Sequence, residues 1–292
     1  MSRIIVTGAN SPVGMRVLAR LRRQPGVELE AWVSGRPGSS PPPDGCRTCR
    51  SVDLRQPLPS DAEEAISQCD ALLHLAWFRS PDPARAIAEN TAMIRGLARR
   101  LRQPGALRIV SSVSSGPNAH SAYGKAKYAA NQLVLETGAA ALLLGLIVER
   151  EPEAGPYRML RNVVRKLPFR IRFADRNPNV YPVREHDAME LLAAFALTEN
   201  LRGLYRGFPP PLGINRFLKL LEEAHPRFRL PLPLFARPLL ATARIAGKLH
   251  LPGAPLLDKV ATLLHKDDEY LQAQQELPGW TPECCDQPGF FS

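Results

Sequence analysis

Short apolar runs alternate with helical periods through the first half of this chain, and that alternation admits one kind of sheet. Runs rich in β-branched residues stand at 3–6, 28–33, 50–52, 71–75, 107–111 and 141–148, with helices expected at 13–23, 61–68, 83–101 and 123–137 between them. The runs are apolar almost throughout, as strands covered on both faces are. Strands and helices in that order build a parallel, doubly wound α/β sheet with right-handed crossovers. Beyond Glu151 the pattern changes to proline-punctuated helices, expected at 159–166, 187–199, 215–225, 235–248, 256–265 and 269–276. We therefore divide the chain into a sheet domain at 1–150 and a small, helix-rich lobe at 151–292 that interleaves with the sheet edge.

Composition narrows the function. The 292 residues are 45% hydrophobic, which suffices for a full core. No apolar run reaches the roughly 18 residues of a membrane span. The first strand starts at once, without a charged, apolar leader. Both features lead us to expect a cytoplasmic protein with no membrane partner. The five cysteines are odd in number and fit no secreted disulfide framework. Cys46 and Cys49 have C-x-x-C spacing, but no histidine follows at finger spacing, and Cys284 and Cys285 are the only other pair. We read ordinary thiols and no metal site. The net charge of +10 is spread thinly, without an aromatic-studded basic run, so nucleic acid is not expected as a partner. A basic pocket for a phosphorylated cofactor or substrate fits better.

The first strand leads into Thr7-Gly8-Ala9-Asn10-Ser11-Pro12-Val13-Gly14. Gly8 allows a tight turn, Gly14 allows close helix–strand packing, and the helix N-terminus then faces a pyrophosphate. Ser11 stands where the middle glycine of such turns is usual, and its side chain is expected to crowd the phosphate. At the end of the second strand, Ser34-Gly35-Arg36 offers an arginine and no carboxylate, which favours the 2′-phosphate of NADP over the ribose hydroxyls of NAD. Tyr123 and Lys127 are four residues apart, on one helix face. The lysine charge is expected to favour phenolate and lower the tyrosine pKa towards neutrality, for proton exchange with an alcohol or carbonyl.

Together these residues resemble an extended short-chain dehydrogenase/reductase of the NAD-dependent epimerase/dehydratase family. The resemblance is close from Arg3 to about Asp187 and weaker to Trp280. It implies a Rossmann-type fold and a set of roles. Thr7, Gly8, Asn10, Ser11, Val13 and Gly14 form the nucleotide turn. Asp53 and Leu54 meet the adenine, and Arg36 the ribose phosphate. His74-Leu75-Ala76 closes the fourth strand, so that Leu75, Ala76 and Trp77 border the cofactor, as does Pro152 in Arg150-Glu151-Pro152. Val183-Arg184-Glu185-His186-Asp187 opens a helix of the lobe. Ser112, Tyr123 and Lys127 match the catalytic set, and Asn90 supports the strand and a proton-relay water. Tyr123 would act as general acid/base, Lys127 would lower its pKa and bond the nicotinamide ribose, and Ser112 would orient the substrate oxygen. Ser111, Ser114 and Ser115 crowd the same strand end, with Ser114 the next choice.

Two further departures bear on substrate. Only eleven positions separate Ser112 from Tyr123, which trims a loop beside the pocket, and Trp77-Phe78 places aromatics where small residues are common. Both point to a substrate less polar than a sugar nucleotide. The leading expectation is an oxidoreductase with NADP preferred, or NAD. A sugar-nucleotide epimerase/dehydratase and a non-catalytic dinucleotide-binding protein stand as alternatives. The resemblance also implies a homodimer through the helices at 83–101 and 123–137, with Ala126, Ala129 and Ala130 permitting close approach. His120 precedes the catalytic helix and is a candidate pocket residue.

Overall fold

The computed structural model describes residues 2–34, 48–152, 155–225, 230–248 and 254–281. Its order of elements is β1 (Ser2–Thr7), α1 (Pro12–Leu21), β2 (Val27–Val33), β3 (Thr48–Ser51), α2 (Ser60–Gln68), β4 (Ala71–His74), α3 (Pro83–Ala98), β5 (Leu107–Ser112), α4 (Ala122–Thr137) and β6 (Ala140–Leu144). These alternate as the periodicity requires. There follow β7 (Leu146–Val148), α5 (Gly155–Lys166), β8 (Phe169–Phe173), β9 (Asn179–Val180), β10 (Pro182–Arg184), α6 (Glu185–Leu197) and β11 (Gly203–Gly207). The last elements are β12 (Leu212–Gly213), α7 (Ile214–Glu223), β13 (Leu230–Leu234), α8 (Ala236–Lys248), α9 (Ala254–Leu264), α10 (Asp268–Gln272) and β14 (Gln275–Glu276).

Eight strands form one parallel sheet in the order β14-β11-β6-β5-β4-β1-β2-β3. This is the Rossmann-type, doubly wound arrangement. Strands β4 and β6 are buried along their whole length, because helices cover both faces. On one side α3 packs on α4; α1 packs on α6. One continuous core runs from Ile4, Ile5 and Val6 to Leu142, Phe195 and Leu271. A second, centred on Tyr157, Phe217 and Leu221, belongs to the lobe. No helix among the described residues is long and apolar enough to cross a membrane.

Two expected elements are corrected. The apolar run expected as one strand at 141–148 breaks at Gly145: β6 stays in the main sheet and β7 leaves it to pair with β10. Gly145 makes the break because any Cβ there would collide with the Tyr181 carbonyl. The helix expected at 269–276 ends at Gln272, and Gln275–Glu276 becomes the edge strand, paired to Tyr205 and Arg206. Hydropathy could not show this, since a two-residue strand has no period to read. Sheet strands β11 and β14 thus come from the second half of the chain.

Candidate active site

Between β1 and β4 the strand order reverses, and there the carboxyl ends of a doubly wound sheet open a crevice for ligands. Thr7 and His74 end those two strands as register partners. The Ala76 N–H points to Thr7 Oγ1 (3.4 Å), and Thr7 Oγ1 lies 2.8 Å from His74 Nδ1. The hydroxyl can accept from Ala76 and still either donate to Nδ1 or accept from it, so the direction of this bond is set by the imidazole tautomer. The His74 Nε2 is buried and has no partner among the described residues. Burial, and then the Lys127 charge, push His74 down to about 3, so the ring is neutral.

The glycine turn is built for close approach. Gly8 has φ +68°, and a Cβ there would stand 2.7 Å from Ala76 N. A Cβ on Gly14 would strike the Gly8 carbonyl. Ser11 corrects the expectation of crowding. Its backbone (φ −76°, ψ 155°) suits any residue, and its hydroxyl turns back to accept the Gly14 N–H at 3.0 Å as the cap of α1. Pro12 has no N–H, so the Val13 N–H is left at the helix start without a partner among the described residues. A dipole end with a free donor suits an anion. Asn10 ties the turn to β2 through the Ser34 carbonyl (3.1 Å). Arg36, the loop at 37–45, Cys46, Cys284 and Cys285 lie outside the described residues. Of the other thiols, Cys49 is exposed, and burial pushes Cys69 up to about 12.

Around this turn, Leu54, Leu75 and Trp77 pack half-buried on the main core, and Pro152 is half-buried just past β7. Asp53 is exposed, and its carboxylate is held by Arg55 (Nε 3.0 Å, second nitrogen 2.9 Å), which keeps it below the usual carboxylate range. Arg55 and Arg85 in turn lie over the Phe78 ring, at 5.8 and 5.4 Å.

Ser121 caps α4 by accepting from Gly124 N (2.9 Å), and Gly138 ends the helix in the left-handed region. One turn apart on this helix, Tyr123 and Lys127 face the end of β5. Ser112 lies near enough to Tyr123 to act on its phenol, lowering its pKa. The Ser112 Oγ accepts from Ser114 N (3.2 Å). Ser115 is committed elsewhere, donating to the Ser112 carbonyl (2.7 Å) and accepting from Asn131 (3.0 Å). Ser111 is buried, and its hydroxyl has no partner among the described residues. Of the serines at this strand end, Ser112 is the one that acts on the Tyr123 phenol.

The expected lowering of the tyrosine is corrected. Burial raises Tyr123 above the ordinary phenol value, and the Arg79 charge and nearby Ser112 only partly offset this. Lys127 carries the larger shift. Burial, with Arg79 adding to it, pushes the ammonium down to about 7. Its Nζ donates to the Val110 carbonyl (2.7 Å) and lies 3.5 Å from the centre of the Trp77 ring, but 5.7 Å from that of Tyr123. Taking both groups out of water outweighs the attraction that spacing alone implied.

Asn90 is fully buried and closes a clamp: Oδ1 accepts from Phe78 N (3.0 Å), and Nδ2 donates to the Phe78 (2.9 Å) and Ala86 (2.7 Å) carbonyls. Both of its side-chain donors are used, so it shapes the Trp77-Phe78 segment. Three contributors escaped sequence reasoning. Arg79 is exposed beside the pair, in a loop no motif covers. His265 stacks on His120 at 3.7 Å, and Asp267 accepts from Asn118 (3.0 Å). Both arrive from the far end of the chain, where no local signal could announce them.

No protein-family model matches the chain, and no curated protein sequence does. Solved structures do match it. A nucleoside-diphosphate-sugar epimerase from Staphylococcus aureus superposes with a TM-score of 0.71 over 100% of both chains, at 12% identity. The fold is that of the nucleotide-sugar epimerases and dehydratases. A UDP-glucuronic acid 4-epimerase from Bacillus cereus, in complex with UDP-glucuronic acid and NAD, has a TM-score of 0.60 and 16% identity, covering 80% of this chain and 86% of its own. TunA, an NAD-dependent NDP-hexosamine 5,6-dehydratase of tunicamycin biosynthesis, has a TM-score of 0.61 and 15% identity, covering 80% and 84%. At such identities the likeness establishes the fold, and the chemistry must come from the site.

Proposed function

We propose that this chain is an NAD(P)-dependent enzyme of the extended short-chain dehydrogenase/reductase type, passing hydride between nicotinamide and a carbonyl or alcohol carbon of a small molecule. The observation that carries this reading is the convergence of Ser112, Tyr123 and Lys127 at the crevice between β5 and α4. The bare Val13 N–H and the two glycines that admit no side chain fit a dinucleotide pyrophosphate. Bound nicotinamide would supply or accept the hydride. Tyr123, held protonated by burial, donates its proton to the substrate oxygen as the carbon is reduced, and recovers it in the other direction. Ser112 bonds the same oxygen and steadies its developing charge. Lys127, poised near 7, exchanges protons near neutrality and returns one to the phenol side of the site.

The substrate of this reading is small. The loop between β5 and α4 is braced by the chain's own C-terminal segment through His265 on His120 and Asp267 on Asn118. NADP is the cofactor we favour, on Arg36, and NAD the other candidate. A homodimer through 83–101 and 123–137 belongs to the same proposal. Its seam cannot use Ala126 or Ala130, which are buried within the chain, and would instead draw on Ala129 and the exposed Leu135.

A second reading, an epimerase or dehydratase that reduces and reoxidises a retained NAD, is favoured by the NAD named with the structural neighbours. One experiment separates the two. Titration with NADPH, NADH, NADP and NAD, read by nicotinamide fluorescence, is followed by a carbonyl-substrate screen. The main reading expects net oxidation of added NADPH, cut by at least about a hundredfold in Tyr123→Phe. NAD that co-purifies and does not exchange would replace it with the second reading. Binding of none of the four would sink both.

A further inference from the structure

The aromatic pair after the His74-Leu75-Ala76 strand end is unused by the reading above, yet it touches the reacting pair. Lys127 is only 4% exposed, so its ammonium has given up nearly all its water. A single carbonyl, that of Val110, accepts from it. The nearest remaining compensation is the Trp77 indole, whose ring centre lies 3.5 Å from Nζ, well inside the range of a strong cation–π contact, while the Tyr123 ring stands at 5.7 Å. The indole is itself held. Asn90 pins the backbone of the next residue through two hydrogen bonds, and Tyr123 meets the ring edge-on, with centroids 6.1 Å apart and planes at 73°.

We propose that Trp77 is the positioning residue for Lys127: its indole face seats the ammonium below Tyr123 and keeps it charged where burial would strip its proton. The proposal rests on the reading of Tyr123 and Lys127 as the reacting pair. Apart from the Val110 carbonyl and the more distant Tyr123 ring, at 5.7 Å, the titratable groups around the ammonium give its charge no support. His74, from β4, is neutral, Arg79, from the loop before α3, repels it, and Tyr123, on α4, stays protonated. The ring quadrupole therefore holds the protonation equilibrium up by about tenfold to thirtyfold, or roughly 1 to 1.5 pH units. The aromatic that departs from the family pattern thus sets the pH range of the enzyme.

The first test needs neither cofactor nor substrate. Tryptophan emission of the full chain is followed between about pH 5 and pH 9, beside Lys127→Met. We expect a transition in the native protein above the value of about 7 that burial and Arg79 set by themselves, as the ammonium above the indole loses its proton, and its loss in Lys127→Met. A flat titration, or one that Lys127→Met leaves intact, overturns the proposal. The second test follows the pH profile of turnover in Trp77→Leu, which keeps bulk without a π face, and Trp77→Phe, which keeps a smaller face. The limb that reports Lys127 should move to lower pH by about one unit in Trp77→Leu and by less in Trp77→Phe. Equal loss at every pH, with no shift, would mean that the indole merely packs. If emission titrates as expected but no dinucleotide binds, the proposed function fails while the seat for Lys127 stands.

Discussion

Asn90→Leu removes one clamp while keeping its volume, so its cost can be worked from the bonds it breaks. The amide is fully buried and makes three hydrogen bonds, two of them to the N–H and C=O of Phe78. The Ala86 carbonyl keeps its place in the helical ladder of α3. The two Phe78 groups are orphaned, at about 1–2 kcal/mol each in a half-buried site, for a total of about 2–4 kcal/mol. In a chain of this size that corresponds to a fall in Tm of roughly 3–7 °C. Urea unfolding at neutral pH would read it as a lower midpoint with an unchanged m-value. Hydrogen exchange should show the Phe78 amide losing protection while β4 keeps its own. A loss below about 1 kcal/mol, or retained protection at Phe78, would refute the clamp and with it the rigid seating of Trp77.

Two further expectations test the crevice. His74 falls from 6.5 to about 3 on folding, so between these values the unfolded chain binds a proton that the folded chain does not. Stability is therefore complete above 6.5 and declines as pH drops through this window; by about pH 4 the loss is roughly 3 kcal/mol. His74→Asn should flatten that decline in denaturant melts, and an unchanged acid slope would rule the assignment out. At the α1 cap, Ser11→Ala should cost about 1 kcal/mol and Ser11→Gly only a few tenths, read by thermal melts. Equal costs would show that the hydroxyl does not cap the helix.

The sheet and its turn were legible because they are local. Continuous apolar runs separated by 3.6-period helices can only be buried strands with crossovers. The i, i+4 spacing alone placed Tyr123 and Lys127 on one helix face. Gly8 and Gly14 announced a turn with no room for a side chain. That Ser112 ends β5 also followed from position along the chain. The register of β1 with β4, which joins Thr7 to His74, had no such signal.

Tertiary structure decided the rest, because desolvation and partner choice depend on what arrives from elsewhere in the chain. Sequence spacing implied that Lys127 would acidify Tyr123; burial raised the phenol and lowered the amine instead. Trp77 stood as an oddity after a strand, and only the fold put its ring on the ammonium. His265 and Asp267 reach the loop before α4 across more than a hundred residues, and Gln275 and Glu276 complete the sheet beside β11. Periodicity names which faces are buried, whereas electrostatics follows from which groups share that burial, and only the folded chain brings those groups together.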